Sequence, residues 1–140
     1  MPHKTFWMLA SYLLFIAFLG TAALNMLHVR GGFFTNHAAD LVSPAWLYIV
    51  FRGLHPPRGR RSLIQRTIGR TPETAALSLF VASTLTEVSQ LYWPQGMFAG
   101  RFDPLDVVAY FSGLAVLYSV DKRMSGEHGG TPTVSRQTAA

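Results

Sequence analysis

The sequence predicts an all-α, polytopic membrane protein, a bundle of about four transmembrane helices with both termini in the cytoplasm. Three observations predict this fold class. Of the 140 residues, 49% are hydrophobic and only 14% are charged, whereas soluble domains average about 25% charged residues. Four long apolar segments follow one another along the chain, and lysine and arginine are concentrated in alternate connections between them.

The first apolar segment, residues 6–27, contains no charged residue. It would form a helix roughly 33 Å long, enough to cross a hydrocarbon core of about 30 Å. A signal peptide is the alternative, but the segment is longer than the usual apolar region of about 7–15 residues. The second segment, residues 38–54, contains Pro44. Because a helix that begins at Pro44 would be too short to span, we favour a longer, kinked helix that begins near His37.

The third and fourth segments share one type of helix start. Residues 72–93 follow Thr71, which is suited to cap the helix, and carry Pro72 at the first helical position and Glu73 in the first turn. Residues 104–120 follow Asp103 in the same way, and Asp103 is most simply interpreted as an N-cap.

The distribution of positive charge predicts the orientation. Of the 12 lysines and arginines, all but Arg30 and Arg101 lie in the amino terminus, the connection after the second segment and the tail. By the positive-inside rule, those three regions are cytoplasmic. Residues 1–123 are then the transmembrane domain, and residues 124–140, rich in Gly, Ser and Thr, are predicted to be a disordered cytoplasmic tail. At the predicted membrane edges lie aromatic residues suited to the headgroup level, among them Phe6, Trp7, Tyr92 and Trp93.

Several kinds of chemistry have no support in the sequence. The chain has no cysteine, no histidine pair at metal spacing, no Ser-His-Asp order and no glycine-rich phosphate loop, so it predicts no metal and no cofactor and favours a protein that is not an enzyme. The connection with six arginines is better explained as a topology determinant than as a lipid-binding site. It is short and resembles no nucleic-acid-binding fold, so no nucleic acid is expected as a partner.

Polar residues inside the predicted spans collect near the outer face. Glu87 lies in the third span, and Gln90 follows on the same helical face. Such groups should face the bundle interior. Arg101, in the next connection, is the predicted ion-pair partner of Glu87.

Further polar residues are expected at the same level of the bundle. Asp106 and Tyr110 share a face of the fourth span, and the small residue Gly113 would let two helices approach closely there. His37 and Asp40 belong to the outer end of the second span. The candidate ligand-binding residues are therefore Glu87, Gln90, Arg101, Asp106, Tyr110, Asp40 and His37.

The stretch TEVSQLYWPQGMFAGRFDPLDVVAYFSGLAVLYSVD resembles the VanZ-like family of small bacterial membrane proteins. That family ends one span with Glu-x-x-Gln, follows it with an arginine-bearing loop, and opens the next span with aspartate and then a glycine about two turns on. The matching positions here are Glu87, Gln90, Arg101, Asp106 and Gly113.

The chain departs from the family pattern at two places. Many relatives have an asparagine three or four residues after the aspartate, where this chain has Ala109 and Tyr110. Many also have a Lys-x-x-His element before the second span, where this chain offers only His37 and Asp40.

The resemblance implies a cellular location and an association with the cell envelope, but no particular reaction. It implies a multi-pass protein of the bacterial cytoplasmic (inner) membrane, associated with the cell envelope and with resistance to the glycopeptide teicoplanin. The leading hypothesis is a non-enzymatic protein that binds a polar lipid, a cell-wall precursor or an envelope protein, with membrane lipids as its surroundings.

Three alternatives stay open. One is a membrane enzyme acting on a lipid-linked substrate, with Glu87 and Asp106 as acid–base residues. The others are a small transporter subunit that uses Glu87 as a proton relay, and a structural scaffold. A homo-oligomer is compatible with each of them.

Overall fold

The regular structure of the chain consists of helices. The computed structural model describes residues 3–27, 32–54, 62–95 and 101–126. All regular structure within these ranges is helical, which confirms the all-α prediction. The elements are α1 (His3–Met26), α2 (Phe33–Arg52), α3 (Leu63–Thr67), a 3₁₀ turn (Ile68–Arg70), α4 (Pro72–Tyr92) and α5 (Pro104–Gly126).

The starts of α4 and α5 are as predicted. The Thr71 side chain accepts a hydrogen bond from the backbone N–H of Thr74, and the Thr74 hydroxyl accepts one from the backbone N–H of Thr71. This reciprocal capping box satisfies two backbone groups at the start of α4. At α5, Asp103 Oδ1 accepts from the backbone N–H of Leu105 at 2.9 Å, which confirms Asp103 as a capping residue.

Helix α2 is continuous through Pro44, as the longer of the two interpretations predicts. It begins earlier than expected, at Phe33, and ends at Arg52. Gly53 then adopts a left-handed conformation (φ 64°), and its N–H donates to the carbonyl of Val50 at 3.1 Å. Glycine suits this position because it adopts positive φ without steric penalty.

Two sequence-based boundaries need correction. Helix α5 continues to Gly126, so the predicted disordered tail, residues 124–140, is wrong for its first three residues. The Ser125 hydroxyl donates to Asp121 Oδ1 at 3.2 Å and helps to continue the helix. Residues 127–140 lie outside the described residues. The arginine-rich connection contains α3, which was not predicted and which Ser62 caps.

Helix α2 lies at the centre of the bundle. It packs against α1 on one side and against α4 and α5 on the other. The apolar core consists of Tyr48, Ala75, Leu79 and Leu114. A Cβ atom at Gly113 would lie 2.2 Å from the carbonyl oxygen of Leu41. Only glycine therefore allows this crossing of α2 and α5, which confirms the predicted close approach.

One helix has the length and composition needed to cross a membrane, within the part of the chain described here. This segment is Lys4–Leu24 of α1, and few of its residues are buried. Helices α2, α4 and α5 are of similar length, but each carries acidic residues that lower its mean hydropathy. Four spans therefore stay a prediction.

The aromatic residues at the predicted membrane edges behave in two ways. Tyr92 and Trp93 are exposed, as an anchoring role requires. Trp7 is completely buried, with its ring packed edge-to-face against Phe6 at a centroid distance of 5.1 Å. The prediction of Trp7 as a headgroup anchor is therefore wrong, because its ring fills the bundle interior.

Candidate functional site

A group of polar side chains occupies the end of the bundle where α2 and α5 begin and α4 ends. We call it the polar cluster. It unites residues from three helices and from the cap of α5, which are far apart in the sequence. Its members are His37, Asp40, Glu87, Gln90, Asp103, Asp106 and Tyr110.

Tyr110 links the three helices of the polar cluster. Its ring is buried, and its hydroxyl lies 2.9 Å from Glu87 Oε1 on α4 and 3.3 Å from Asp40 Oδ1 on α2. The hydroxyl donates its proton to these acceptors, with the shorter contact to Glu87. The predicted proximity of Asp40, Glu87 and Tyr110 is thus present in the structure.

Glu87 is the most deeply buried acid of the cluster, with 4% of its surface exposed. Its Oε1 also receives a long hydrogen bond from Gln90 Nε2 at 3.4 Å, as expected for residues on one helical face. Its Oε2 has no hydrogen-bond partner within the described residues, and neither has Thr84 Oγ1, one turn earlier on α4. Buried side-chain oxygens are normally paired, so an unpaired carboxylate oxygen requires an explanation.

Arg101 is not the partner of Glu87. Its side chain is exposed, and the ion pairs of the described residues do not include one between Arg101 and Glu87. Arg101 precedes the first turn of α5 at the end of the bundle, whereas the Glu87 carboxylate lies inside, against Tyr110 and Gln90. The predicted Glu87–Arg101 pair is therefore wrong, because Arg101 is exposed whereas the Glu87 carboxylate is buried.

The ion pair of the polar cluster is formed by His37 and Asp106. Their Nδ1 and Oδ1 atoms lie 2.6 Å apart, and only 11% and 17% of the two side chains are exposed. His37 lies at the outer end of the second predicted span, so this ion pair joins α2 to α5 near the starts of both helices.

Negative charge predominates in the polar cluster. Four of its members are acids, and one is a histidine that neutralises one acid at most. Asp40 faces the like charges of both Asp106 and Glu87. No lysine or arginine of the described ranges forms an ion pair with these acids. Such an arrangement favours cations or hydrogen-bond donors as ligands.

Three members of the cluster have the geometry of metal ligands. One ligand atom each of His37, Asp103 and Asp106 lies within 4.8 Å of the other two, and all three residues are partly exposed. No metal motif is visible in the sequence, because His37 is far from the two aspartates along the chain. Only the i, i+3 spacing of Asp103 and Asp106 was visible beforehand.

A second buried group lies at the opposite end of the bundle, where sequence analysis predicted no site. Asp121 has no exposed surface, and its Oδ2 accepts from Arg52 Nε at 2.7 Å and from the Tyr48 hydroxyl at 2.8 Å. Another guanidinium nitrogen of Arg52 donates to the carbonyl of Gly69 at 2.9 Å. These bonds join α2, α5 and the 3₁₀ turn, so the group stabilises the fold. The available signal was the helical spacing of Tyr48 and Arg52, four residues apart on one face.

An apolar groove lies apart from both polar groups. Its volume is about 510 Å³, and it runs between α4 and α5. Its walls include Ala76, Phe80, Phe111 and Leu114, and the exposed Glu73 lies at one end. Because none of the polar cluster lines it, the groove does not serve as the cavity of the candidate site.

No family model, no curated protein and no solved structure matches this chain. The resemblance to the VanZ-like family therefore stays a prediction. Of the residues that carry it, Glu87, Gln90 and Asp106 lie in the polar cluster and Gly113 at the neighbouring helix crossing, while Arg101 remains on the surface.

Proposed function

We propose that this chain is a VanZ-like integral protein of the bacterial cytoplasmic membrane, with four spans and both termini in the cytoplasm. Its polar cluster faces the cell envelope and binds the polar headgroup of a lipid or of a lipid-linked cell-wall precursor. Teicoplanin resistance would follow from altered access of the drug to that precursor. The function that we propose is binding rather than catalysis, since the sequence contains no cysteine, no Ser-His-Asp order and no glycine-rich phosphate loop.

One observation carries the membrane part of the proposal: the bundle buries acids and exposes aliphatic side chains. Glu87 and Asp121 are almost completely buried. Large apolar residues on three helices are more than half exposed, namely Leu13, Ile16, Leu77, Leu85, Phe111 and Val116. In water such a surface drives association, whereas in a bilayer it is the surface that lipid tails require.

The buried acids support the same proposal. Acidic residues within spans face the bundle interior and mark functional positions. Glu87, within the proposed third span, points inward to Tyr110, and Asp121, directly after the proposed fourth span, points inward to Arg52. The span limits that we propose are residues 6–27, 38–54, 72–93 and 104–120.

Headgroup binding is supported by the position and chemistry of the polar cluster. It lies at one end of the bundle, where the partly exposed His37, Asp103 and Asp106 are accessible. Carboxylates accept hydrogen bonds from hydroxyl and amino groups of sugars and headgroups. Arg101 is exposed nearby in the chain and offers a fork of donors to a phosphate.

Single-cysteine labelling tests the topology, because the chain contains no cysteine. Ala99→Cys and Ser62→Cys variants would be treated in intact cells with a membrane-impermeant maleimide. We expect labelling at position 99 alone. Labelling at position 62 alone would place the polar cluster in the cytoplasm, and labelling at both positions would contradict the proposed span between them, residues 72–93.

A matched pair of variants tests the role of the cluster. Glu87→Gln removes the buried carboxylate, and Glu73→Gln removes an exposed one from the same helix. We expect teicoplanin resistance, measured at equal protein levels in the membrane, to be lost with Glu87→Gln and kept with Glu73→Gln. Full resistance with Glu87→Gln would contradict the proposed binding function and favour a structural scaffold. Turnover of a labelled lipid-linked precursor that Glu87→Gln abolishes would favour the enzyme instead.

A further inference from the structure

We propose that His37, Asp103 and Asp106 bind one divalent metal cation at the end of the bundle. The ligand atoms of the three residues lie within 4.8 Å of one another. Nδ1 of His37 and Oδ1 of Asp106 are already 2.6 Å apart, so a small separation would admit a cation between them. The site does not depend on the proposed headgroup binding, because it follows from side chains of this chain alone.

The ligand atoms are held by α2 and by the start of α5. His37 lies near the start of α2, Asp106 lies in the first turn of α5, and Asp103 caps α5. The cap uses Asp103 Oδ1, which accepts from Leu105 N–H at 2.9 Å. Because a carboxylate has two oxygens, Asp103 Oδ2 is available to a cation while the cap stays intact. The site thus requires no rearrangement of the helix start.

The negative charge around the three ligand residues also favours a bound cation. Asp40 and Glu87 face the same region as Asp106, and Asp40 feels the negative charge of both. A divalent cation would compensate charge that one histidine cannot balance. Arg101 is the basic residue closest to Asp103 and Asp106 in the sequence. Among the ion pairs of the described residues, none joins Arg101 to these acids.

The unpaired oxygen of Glu87 gives an independent indication of a ligand. This side chain is more than nine-tenths buried, and its Oε2 has no partner. Its other oxygen accepts from Tyr110, whose hydroxyl also contacts Asp40, and Asp40 in turn faces the negative charge of Asp106. A water molecule bound to the cation can donate to such an oxygen, which would satisfy it without a further side chain.

The donor set indicates the class of cation. One imidazole nitrogen and two carboxylate oxygens suit an ion of intermediate hardness such as Mn²⁺, and Zn²⁺ accepts the same ligand types. Three protein ligands leave positions for water or for a phosphate oxygen. Through these positions an anionic headgroup would bind to the cation rather than against the carboxylates. That last step rests on the proposed function, whereas the cation site does not.

Metal binding by the full-length chain, purified in detergent without added lipid, tests the site. Titration with Mn²⁺ followed by electron paramagnetic resonance should show one bound ion per chain, which Zn²⁺ displaces. Pulsed measurements should detect nitrogen coupling from one imidazole, and His37→Gln should abolish that coupling. A bound ion without nitrogen coupling would exclude His37 as a ligand and overturn the proposed site.

Conservative variants separate ligation from folding. Asp103→Asn preserves a good helix cap but removes the anionic ligand. We expect Asp103→Asn and Asp106→Asn to weaken Mn²⁺ binding at least tenfold, and Glu73→Gln, remote from the site, to leave it unchanged. Helical circular dichroism would verify that each variant is folded. Absence of stoichiometric binding, unchanged affinity in Asp103→Asn, or an equal loss in Glu73→Gln would overturn the proposal. Because these binding measurements contain no lipid, a failure of headgroup binding alone would not affect them.

Discussion

Nε of Arg52 lies 2.7 Å from Oδ2 of Asp121, although Asp121 has no exposed surface and the two residues come from different helices. The Tyr48 hydroxyl donates to the same oxygen at 2.8 Å. The two donors compensate the buried charge of the carboxylate. This group therefore fixes α5 against α2 at the end of the bundle that is opposite to the polar cluster.

Removing the guanidinium should strongly destabilise the fold. Arg52→Ala leaves the Asp121 carboxylate buried with neutral donors only, and breaking a buried pair in this way destabilises proteins by about 3 kcal/mol or more. The free energy of unfolding in detergent, followed by helical circular dichroism, measures the effect. Lys122→Ala is the matched control, since it breaks the exposed pair with Glu73 and should change stability far less. Equal effects of the two variants would contradict the structural role of Asp121.

The helix crossing at Gly113 should not tolerate a larger side chain. In Gly113→Ala the new Cβ would meet the Leu41 carbonyl at 2.2 Å, so α2 and α5 must separate. We expect a loss of about 1–3 kcal/mol, the usual range for overpacking. Gly126→Ala, in the same helix, meets no atom within 4 Å and should be neutral or slightly stabilising. Equal stability of both variants in denaturant titrations would show that the helices are not in contact there.

The features that the sequence predicted correctly depend on residues that are close together along the chain. The starts of α4 and α5 follow from Thr71 and Asp103, whose side chains cap the backbone within three residues. The continuity of α2 through Pro44 follows from the length that a span needs. The shared face of Glu87 and Gln90 follows from helical periodicity alone.

Contacts between residues that are far apart along the chain could not be predicted from the sequence. Arg52 and Asp121 are far apart in the chain, and no motif in the sequence relates one to the other. His37 and Asp106 were assigned to the same membrane face, but the sequence could not show that they touch. The prediction that Arg101 pairs with Glu87 was wrong because a position close to α5 in the sequence does not determine the direction of an exposed side chain such as that of Arg101. Such pairings depend on the angles at which the helices cross.

The hydroxyl of Tyr110 should couple α4 to α2 and α5. Tyr110→Phe removes the donor to Glu87 Oε1 and leaves that buried atom with only the long bond from Gln90. The expected loss is about 1–3 kcal/mol, because a buried acceptor loses its partner. A double-mutant cycle of Tyr110→Phe and Glu87→Ala, each of which removes the bond, measures the coupling energy. Additive effects would indicate that the two groups do not interact.

A control for this prediction comes from the opposite end of α5. Tyr118 donates to the exposed Glu73 at 3.3 Å, so Tyr118→Phe removes a comparable hydroxyl from a solvated position. Its effect on unfolding should be smaller than that of Tyr110→Phe, because water replaces the lost bond. A larger loss of stability in Tyr118→Phe than in Tyr110→Phe would contradict the structural role of the Tyr110 hydroxyl.

Arg101 and Glu87 should behave as independent residues. If they formed the pair predicted from the sequence, Arg101→Ala would leave a buried unpaired carboxylate and destabilise the protein by about 3 kcal/mol or more. In the structure Arg101 is exposed, so we expect Arg101→Ala to change the free energy of unfolding by no more than about 0.5 kcal/mol. The same variant should reduce binding to vesicles that contain a phosphate-bearing lipid, because the guanidinium would contact the phosphate directly. A large loss of stability in Arg101→Ala would support the Glu87–Arg101 pair that the sequence predicted. Normal stability with unchanged vesicle binding would instead remove Arg101 from the proposed headgroup site.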